Sequence, residues 1–148
     1  MKMVDVSQKT VSSRVARASG TIRLKPSTVE MIRSGAVEKG DPLSAAQLAG
    51  LLAAKRTWEL IPMCHHIPLG SVEVQCELQG DRVVVYSTVK AVYKTGVEME
   101  ALTACFVALL TIWDMVKQYE KDELGQYPRT KIEGLAIIEK EKKRVDRK

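Results

Sequence analysis

From Ala101 to Val116 the chain reads ALTACFVALLTIWDMV, a helical stretch that is apolar on nearly every side. A helix of that kind has no solvent face to offer, so it must be buried or sit in a subunit interface. It belongs to a longer helix expected from Val97 to about Tyr119. Thr95-Gly96-Val97-Glu98 has the spacing of a capping box at its start. Whatever fold the chain adopts, its other elements have to pack around this one.

Those elements follow from periodicity. Between Val11 and Leu24 the residues alternate, with Ala16, Ala18, Ile22 and Leu24 on one face and Arg17, Ser19, Thr21 and Arg23 on the other, the pattern of a strand. By the same parity Arg14 falls on the apolar face, which is an anomaly. Pro26 ends the strand, and Ser27-x-x-Glu30 has capping-box spacing for a short helix ending near Gly35. Asp41-Pro42 pairs an N-cap with a proline at the first helical position. The helix it starts, through LSAAQLAGLLAAKRTW, is rich in small residues and allows close approach. SVEVQCEL puts Val72, Val74, Cys76 and Leu78 on one face, and after a turn at Gly80-Asp81 its hairpin partner is RVVVYSTVKAVY. RTKIEGLAIIEK is a final strand. This order predicts an α+β, ferredoxin-like sandwich: an antiparallel sheet, helices on one face, and one extra helix in the first crossover. The other sheet face is left for a second subunit.

The 148 residues are most simply one domain, with residues 1–10 and 141–148 expected as mobile ends. The N-terminus is too polar for a signal-peptide core, and no uninterrupted apolar run reaches the length of a bilayer span. Cys64, Cys76 and Cys105 form no paired framework. A cytoplasmic protein without membrane contact is expected. The net charge of +5 suits an anionic ligand, although part of it lies in the tail KEKKRVDRK. Nucleic acid is not the expected partner. Sheet-based binders stack bases on aromatics, which are 5% of this chain; Phe106 falls in a helix, and Tyr86 and Tyr93 face opposite ways. A purely structural scaffold would leave the misplaced polar residues without a purpose.

Three groups of such residues stand out, each with two readings. Asp114 lies inside the apolar helix and needs a partner or a raised pKa, and Lys117 is one turn away on the same face. The pair is either a surface ion pair or an acid-base unit at a cleft. Glu98 and Glu100, around Met99, either complement the helix dipole or face a pocket. In LIPMCHHIPLG, Cys64, His65 and His66 are adjacent, whereas zinc ligands are usually spaced two to four residues apart and number four. The loop is better suited to proton transfer or phosphate contact than to metal.

Three stretches together carry a resemblance: MVDVSQKTVSSRVARASG, the run KGDPLSAAQLAGLLAAKRTWELIPMCHHIPL, and KTGVEMEALTACFVALLTIWDMVK. They resemble the molybdenum cofactor biosynthesis protein C family, the cyclic pyranopterin monophosphate synthases, across most of residues 3 to 121. The resemblance implies a lyase of molybdenum cofactor synthesis that converts 3',8-cyclo-7,8-dihydroguanosine triphosphate to cyclic pyranopterin monophosphate and diphosphate. It implies a ferredoxin-like fold, no redox cofactor, and a homohexamer (a trimer of dimers) with sites between subunits; that no metal site is expected rests on the ligand spacing above.

Carried over by position, the resemblance implies catalytic roles for Asp114, Lys117, Lys39 and His65. Substrate contacts are implied at Met63, Cys64, His65, Met99, Glu100, Glu98, Arg14 and Lys55. Lys39, Lys117 and Arg14 would meet a triphosphate and the charge on departing diphosphate. Asp114, Lys117 and His65 would move protons as rings open and close. The chain departs from the family's pattern in two places. His66 stands where proline is usual, and GLAIIEKEKKRVDRK replaces a glycine-rich segment bearing a lysine.

Overall fold

A computed structural model describes residues 1–145. It contains strand β1 (Ser12–Arg23), helices α1 (Pro26–Ser34), α2 (Pro42–Lys55) and α3 (Thr57–Leu60), strands β2 (Leu69–Gln79) and β3 (Arg82–Tyr93), helix α4 (Glu98–Glu120), and strand β4 (Lys131–Arg144). The four strands form one sheet in the order β2-β3-β1-β4, with every neighbouring pair antiparallel. Helices cover one face. This is the ferredoxin-like arrangement expected, with α1 as the extra crossover helix and α3 as a short turn that the periodicity did not resolve.

The alternation in β1 is fully expressed. Ser12, Arg14, Ala16, Ala18, Gly20 and Ile22 are buried against the helices, and the intervening residues lie half-buried on the other face. Opposite Ala18 and Ile22 in the register stand Ser87 and Val83 of β3, themselves cross-paired with Val74 and Leu78 of β2. α4 crosses this layer with Ala101, Ala104, Cys105, Ala108, Leu109, Ile112 and Val116 buried. By length and composition alone α4 meets the requirement for a bilayer span, although Asp114 interrupts its apolar run. Its burial against the sheet identifies it instead as the core helix. Ser87 Oγ ties the two layers by donating to the Ala101 carbonyl, 2.6 Å away.

The small residues of α2 let it lie close to α4. A Cβ on Gly50 would come within 2.8 Å of the Ala104 carbonyl and 3.0 Å of Val74 Cγ2, so any larger residue forces the helices apart. Asp41 caps α2 as expected, its Oδ1 accepting the Leu43 N–H at 3.0 Å. α2 stops at Lys55, short of Trp58, and just beyond it the Thr57 hydroxyl shares its hydrogen between the Ala53 and Ala54 carbonyls, 3.1 Å from each.

Two other capping expectations are corrected. α1 begins at Pro26, and no side chain of its own first turn caps it. The Glu120 carboxylate, from the far end of α4, accepts the Lys25 backbone N–H instead. At α4 neither Thr95 nor Val97 supplies a side-chain cap. The Glu98 carboxylate lies over Gly96, in space that a Cβ there would fill. At the C-terminus β4 runs on through Arg144, paired with Ser12, so residues 141–144 are strand where a mobile end was expected. The expectation for 146–148 falls outside the described residues. An edge strand rich in lysine is a common defence against edge-to-edge pairing.

Candidate functional site

The expected site residues gather in two clusters at opposite ends of α4. The first surrounds the start of the helix. A pocket of about 230 Å³ is lined by Met63, Cys64, His65 and Ile67 of the α3–β2 loop and by Thr95, Gly96, Glu98, Met99 and Glu100. The loop turns into it through a Cys64 N–H to Ile61 carbonyl bond of 3.0 Å. Glu100 is only 4% exposed, and burial, aided by the charge of Glu98, pushes its carboxyl above the usual range. Partial burial also raises the Cys64 thiol, helped by Glu100, so this sulfur is a poor nucleophile at neutral pH.

Beneath the same end of the sheet lies Arg14, 6% exposed, as its parity in β1 predicted. Its Nη2 donates to the Lys94 carbonyl at 3.3 Å, while its Nε–H is buried without a partner. A buried guanidinium with an unsatisfied donor is expensive and is suited to an anion that arrives later. Lys140, on the same sheet face opposite Ala16, places its Nζ 3.0 Å from Glu98 Oε1. The pair lacks hydrogen-bond angles, so Glu98 Oε1 still has an open acceptor position. Sequence reasoning missed Lys140 and Lys94. The parity of the KEKK run relative to β1 was the available clue, hidden by the assumption that a basic tail is solvated.

The second cluster lies near the end of α4. Lys117 Nζ sits 3.1 Å from Asp114 Oδ1, and Lys39 Nζ, reaching from the loop before α2, sits 3.7 Å from Oδ2. Lys39 also donates to the Asp114 backbone carbonyl at 2.8 Å. Asp114 has therefore found partners rather than a raised pKa. Its side chain is 63% exposed, and the Lys117 hydrogen bond, followed by the charges of Lys39 and Lys117, holds its carboxyl below the ordinary value. Leu110, Trp113, Asp114 and Lys117 line a shallow pocket of about 350 Å³.

Other residues fall outside both clusters within one chain. Lys55 is exposed at the end of α2 and lines neither pocket. His66 points away from the pocket beside it and stacks on Trp58, ring centroids 4.6 Å apart and planes 29° apart. Among the described residues no three His, Cys, Asp or Glu side chains come together in a way that would hold a metal. The two clusters are themselves apart. Glu100 and Asp114 lie on one helix, and at about 1.5 Å per residue their backbones are separated by roughly 21 Å.

Comparison with known proteins extends these observations. A protein of Pyrococcus furiosus described as a probable cyclic pyranopterin monophosphate synthase is 56% identical over 140 residues, covering 95% of this chain and 90% of the relative. One from Sulfurisphaera tokodaii with the same description is 56% identical over 147 residues, 99% of this chain and 97% of the relative. A third, from Methanothermobacter thermautotrophicus, described as a probable cyclic pyranopterin monophosphate synthase accessory protein, is 52% identical over 142 residues, 96% of this chain and 89% of the relative. The MoaC family model matches residues 3–143, which span the fold from β1 to all but the last residue of β4 and include both clusters. On that near-complete match the chain belongs to the MoaC family.

Proposed function

We propose that this chain converts 3',8-cyclo-7,8-dihydroguanosine triphosphate to cyclic pyranopterin monophosphate and diphosphate; its relatives are described as probable cyclic pyranopterin monophosphate synthases. Within the structure, the observation that carries this reading is the Lys39–Asp114–Lys117 cluster, an exposed charge group at the end of the apolar stretch of α4. Two cations flanking one carboxylate suit a site that must hold polyphosphate and also move protons. Asp114, held ionised, acts as the proton acceptor and Lys117 as its cationic partner. Lys39 neutralises phosphate charge. His65 passes protons in the first pocket. Met63, Cys64, Met99, Glu98 and Glu100 contact the purine-derived portion, and Arg14 with its unpaired Nε–H meets an anionic group.

A reaction on one substrate needs both clusters close together, and one chain holds them roughly 21 Å apart along α4. A second copy resolves this. Leu48 and Leu52 on α2, and Met99, Phe106 and Leu110 on α4, are exposed at helical spacing. Covering them with another subunit would place the first cluster of one chain beside the second cluster of its neighbour, with Lys55 drawn in from the α2 side. The free sheet face supports a further contact, and we propose a hexamer built as a trimer of dimers. Three unpaired cysteines support a reducing, cytoplasmic setting.

The test is incubation of the pure protein with the cyclic dihydroguanosine triphosphate, followed by oxidation and detection of pterin fluorescence. Fluorescence that depends on the protein is expected. Its absence, with salt-sensitive RNA binding in its place, would overturn the reading.

A further inference from the structure

Residues 1–11 precede β1 and, apart from half-buried Val6, lie exposed. Two contacts nevertheless fix their path. Lys94 Nζ donates to the Ser7 carbonyl at 3.0 Å, and His65 Nε2 lies 2.7 Å from the Val4 carbonyl. Between these anchors Asp5 makes a tight turn, accepting the Ser7 backbone N–H at 2.8 Å and the Ser7 hydroxyl at 2.5 Å. The arm thus runs from Lys94, just before α4, to His65 in the facing loop, past the first pocket.

A carbonyl oxygen has no proton to give, so the His65 atom facing Val4 must be an N–H. In a neutral imidazole the other nitrogen is then the acceptor. Nδ1 has no partner among the described residues, and His65 lines the pocket. We infer that the N-terminal arm is a positioning element for His65: the Val4 carbonyl holds the ring in its Nε2–H form and leaves Nδ1 as the nitrogen that exchanges protons. The Lys94–Ser7 clamp and the Asp5 turn keep that carbonyl in place. Charges around the ring come from Asp5 and Lys94 on the arm side and from Glu98 and Glu100 on the pocket side. The purpose of the held ring rests on the function proposed above; the hold itself does not.

The experiment uses nitrogen-15 spectra of the full chain in alkaline buffer, with the two histidines told apart by a His66→Pro variant. The full chain should show His65 protonated at Nε2 and bare at Nδ1, with a protected ring N–H proton. In a variant lacking residues 2–6 the protected proton should vanish and both nitrogen shifts should move toward their tautomer average. Lys94→Met should shift them in the same direction by less. Turnover of the shortened chain should fall about tenfold in kcat with KM little changed, as expected when orientation alone is lost. Protonation at Nδ1 in the full chain, or identical His65 signals in the full and shortened chains, would overturn the inference. If the spectra change as expected while His65→Ala keeps full turnover, the hold is supported and the proton-relay role of His65 falls.

Discussion

Lys39 Nζ donates to the backbone carbonyl of Asp114 while lying 3.7 Å from its carboxylate, so one lysine fixes both the helix turn and the charge on it. Lys117 adds the closer contact, 3.1 Å. Because both lysines hold the Asp114 carboxyl below its ordinary value, it is ionised across the neutral range and serves as an acceptor or electrostatic partner. The linkage follows the sign for a depressed acid. The ion pairs are fully present above the ordinary carboxylate value and are lost as pH falls through the lowered one. Asp114→Asn and Lys117→Ala should each reduce turnover by about 10²-fold or more, the usual scale for acid-base groups. The double variant should lose far less than the product of the two. Since Asp114 is mostly exposed, thermal unfolding should barely move. Near-normal turnover in either single variant would remove the pair from the reaction.

Glu100 carries the opposite shift. Its carboxyl is raised chiefly by burial and further by Glu98, so its contribution to stability is fully present below the ordinary value of 4.5 and is lost as pH rises through the raised one. Glu100→Gln should therefore raise Tm at neutral pH, and the gain should shrink toward zero as the buffer is taken below that ordinary value. Turnover should fall at the same time, the trade expected of a strained site residue. A Tm difference that stays constant with pH would show that burial of the charge is not what the variant relieves.

Much of the fold was legible because it rests on short-range pattern. The parity of β1 placed Arg14 inside, and the hairpin alternation put Val72, Val74, Cys76 and Leu78 on the core side, as the register shows. The two failed capping boxes were illegible for a shared reason. Their spacing is local, whereas the partners chosen are remote: Glu120 serves the Lys25 N–H across the fold, and Glu98 turns toward Lys140. The expected helix from Val97 to about Tyr119 already set Glu98 and Glu100 apart from Asp114 and Lys117, but which loop residues join each end depends on tertiary packing and not on motif. The arm at Val4 was equally invisible, since its hold on His65 works through a backbone carbonyl that any residue would supply.

The loop residues should separate by variant. His65→Ala is expected to lower turnover by about 10²-fold as a proton relay. His66→Pro should be tolerated, because the His66 ring only stacks on Trp58 at the surface. Cys64→Ser should retain most activity, its thiol being raised by burial rather than activated. A zinc site would instead make Cys64→Ser as harmful as His65→Ala and render the protein sensitive to chelators. Stoichiometric zinc in the purified protein would decide for that alternative.

Glu120 should matter for stability and not for chemistry. Its side chain is 1% exposed, and its carboxylate accepts from the Lys25 backbone, the Thr28 hydroxyl and, at 2.7 Å, the Thr130 hydroxyl. Glu120→Ala strands these donors and should cost about 3 kcal/mol, toward the high end for single substitutions. Thr130→Val, which removes one partner while leaving the α1 cap, should cost about 1 kcal/mol. Equal losses in urea unfolding would show that the α1 cap adds nothing beyond the Thr130 bond.

The sharpest test of a shared site is complementation. His65→Ala disables the cluster at the start of α4, and Asp114→Asn disables the one near its end. If each working site takes its first cluster from one chain and its second from another, a mixed dimer holds one site with both lesions and one with none. Random reassembly makes about half the dimers mixed, each with one intact site of two, so activity should recover to about a quarter of wild type. The two variants must be unfolded and refolded together, because a stable interface will not exchange subunits on mixing. Refolding each variant alone gives the baseline, and sedimentation confirms that assemblies re-form. If every chain carries a complete site of its own, co-refolded samples will show only the sum of the two baselines. Recovery near a quarter would place Lys39, Asp114 and Lys117 opposite a neighbour's His65 and Glu100. An unchanged baseline in properly assembled protein would mean that the roughly 21 Å between the clusters is spanned some other way, and the two-chain site would fall.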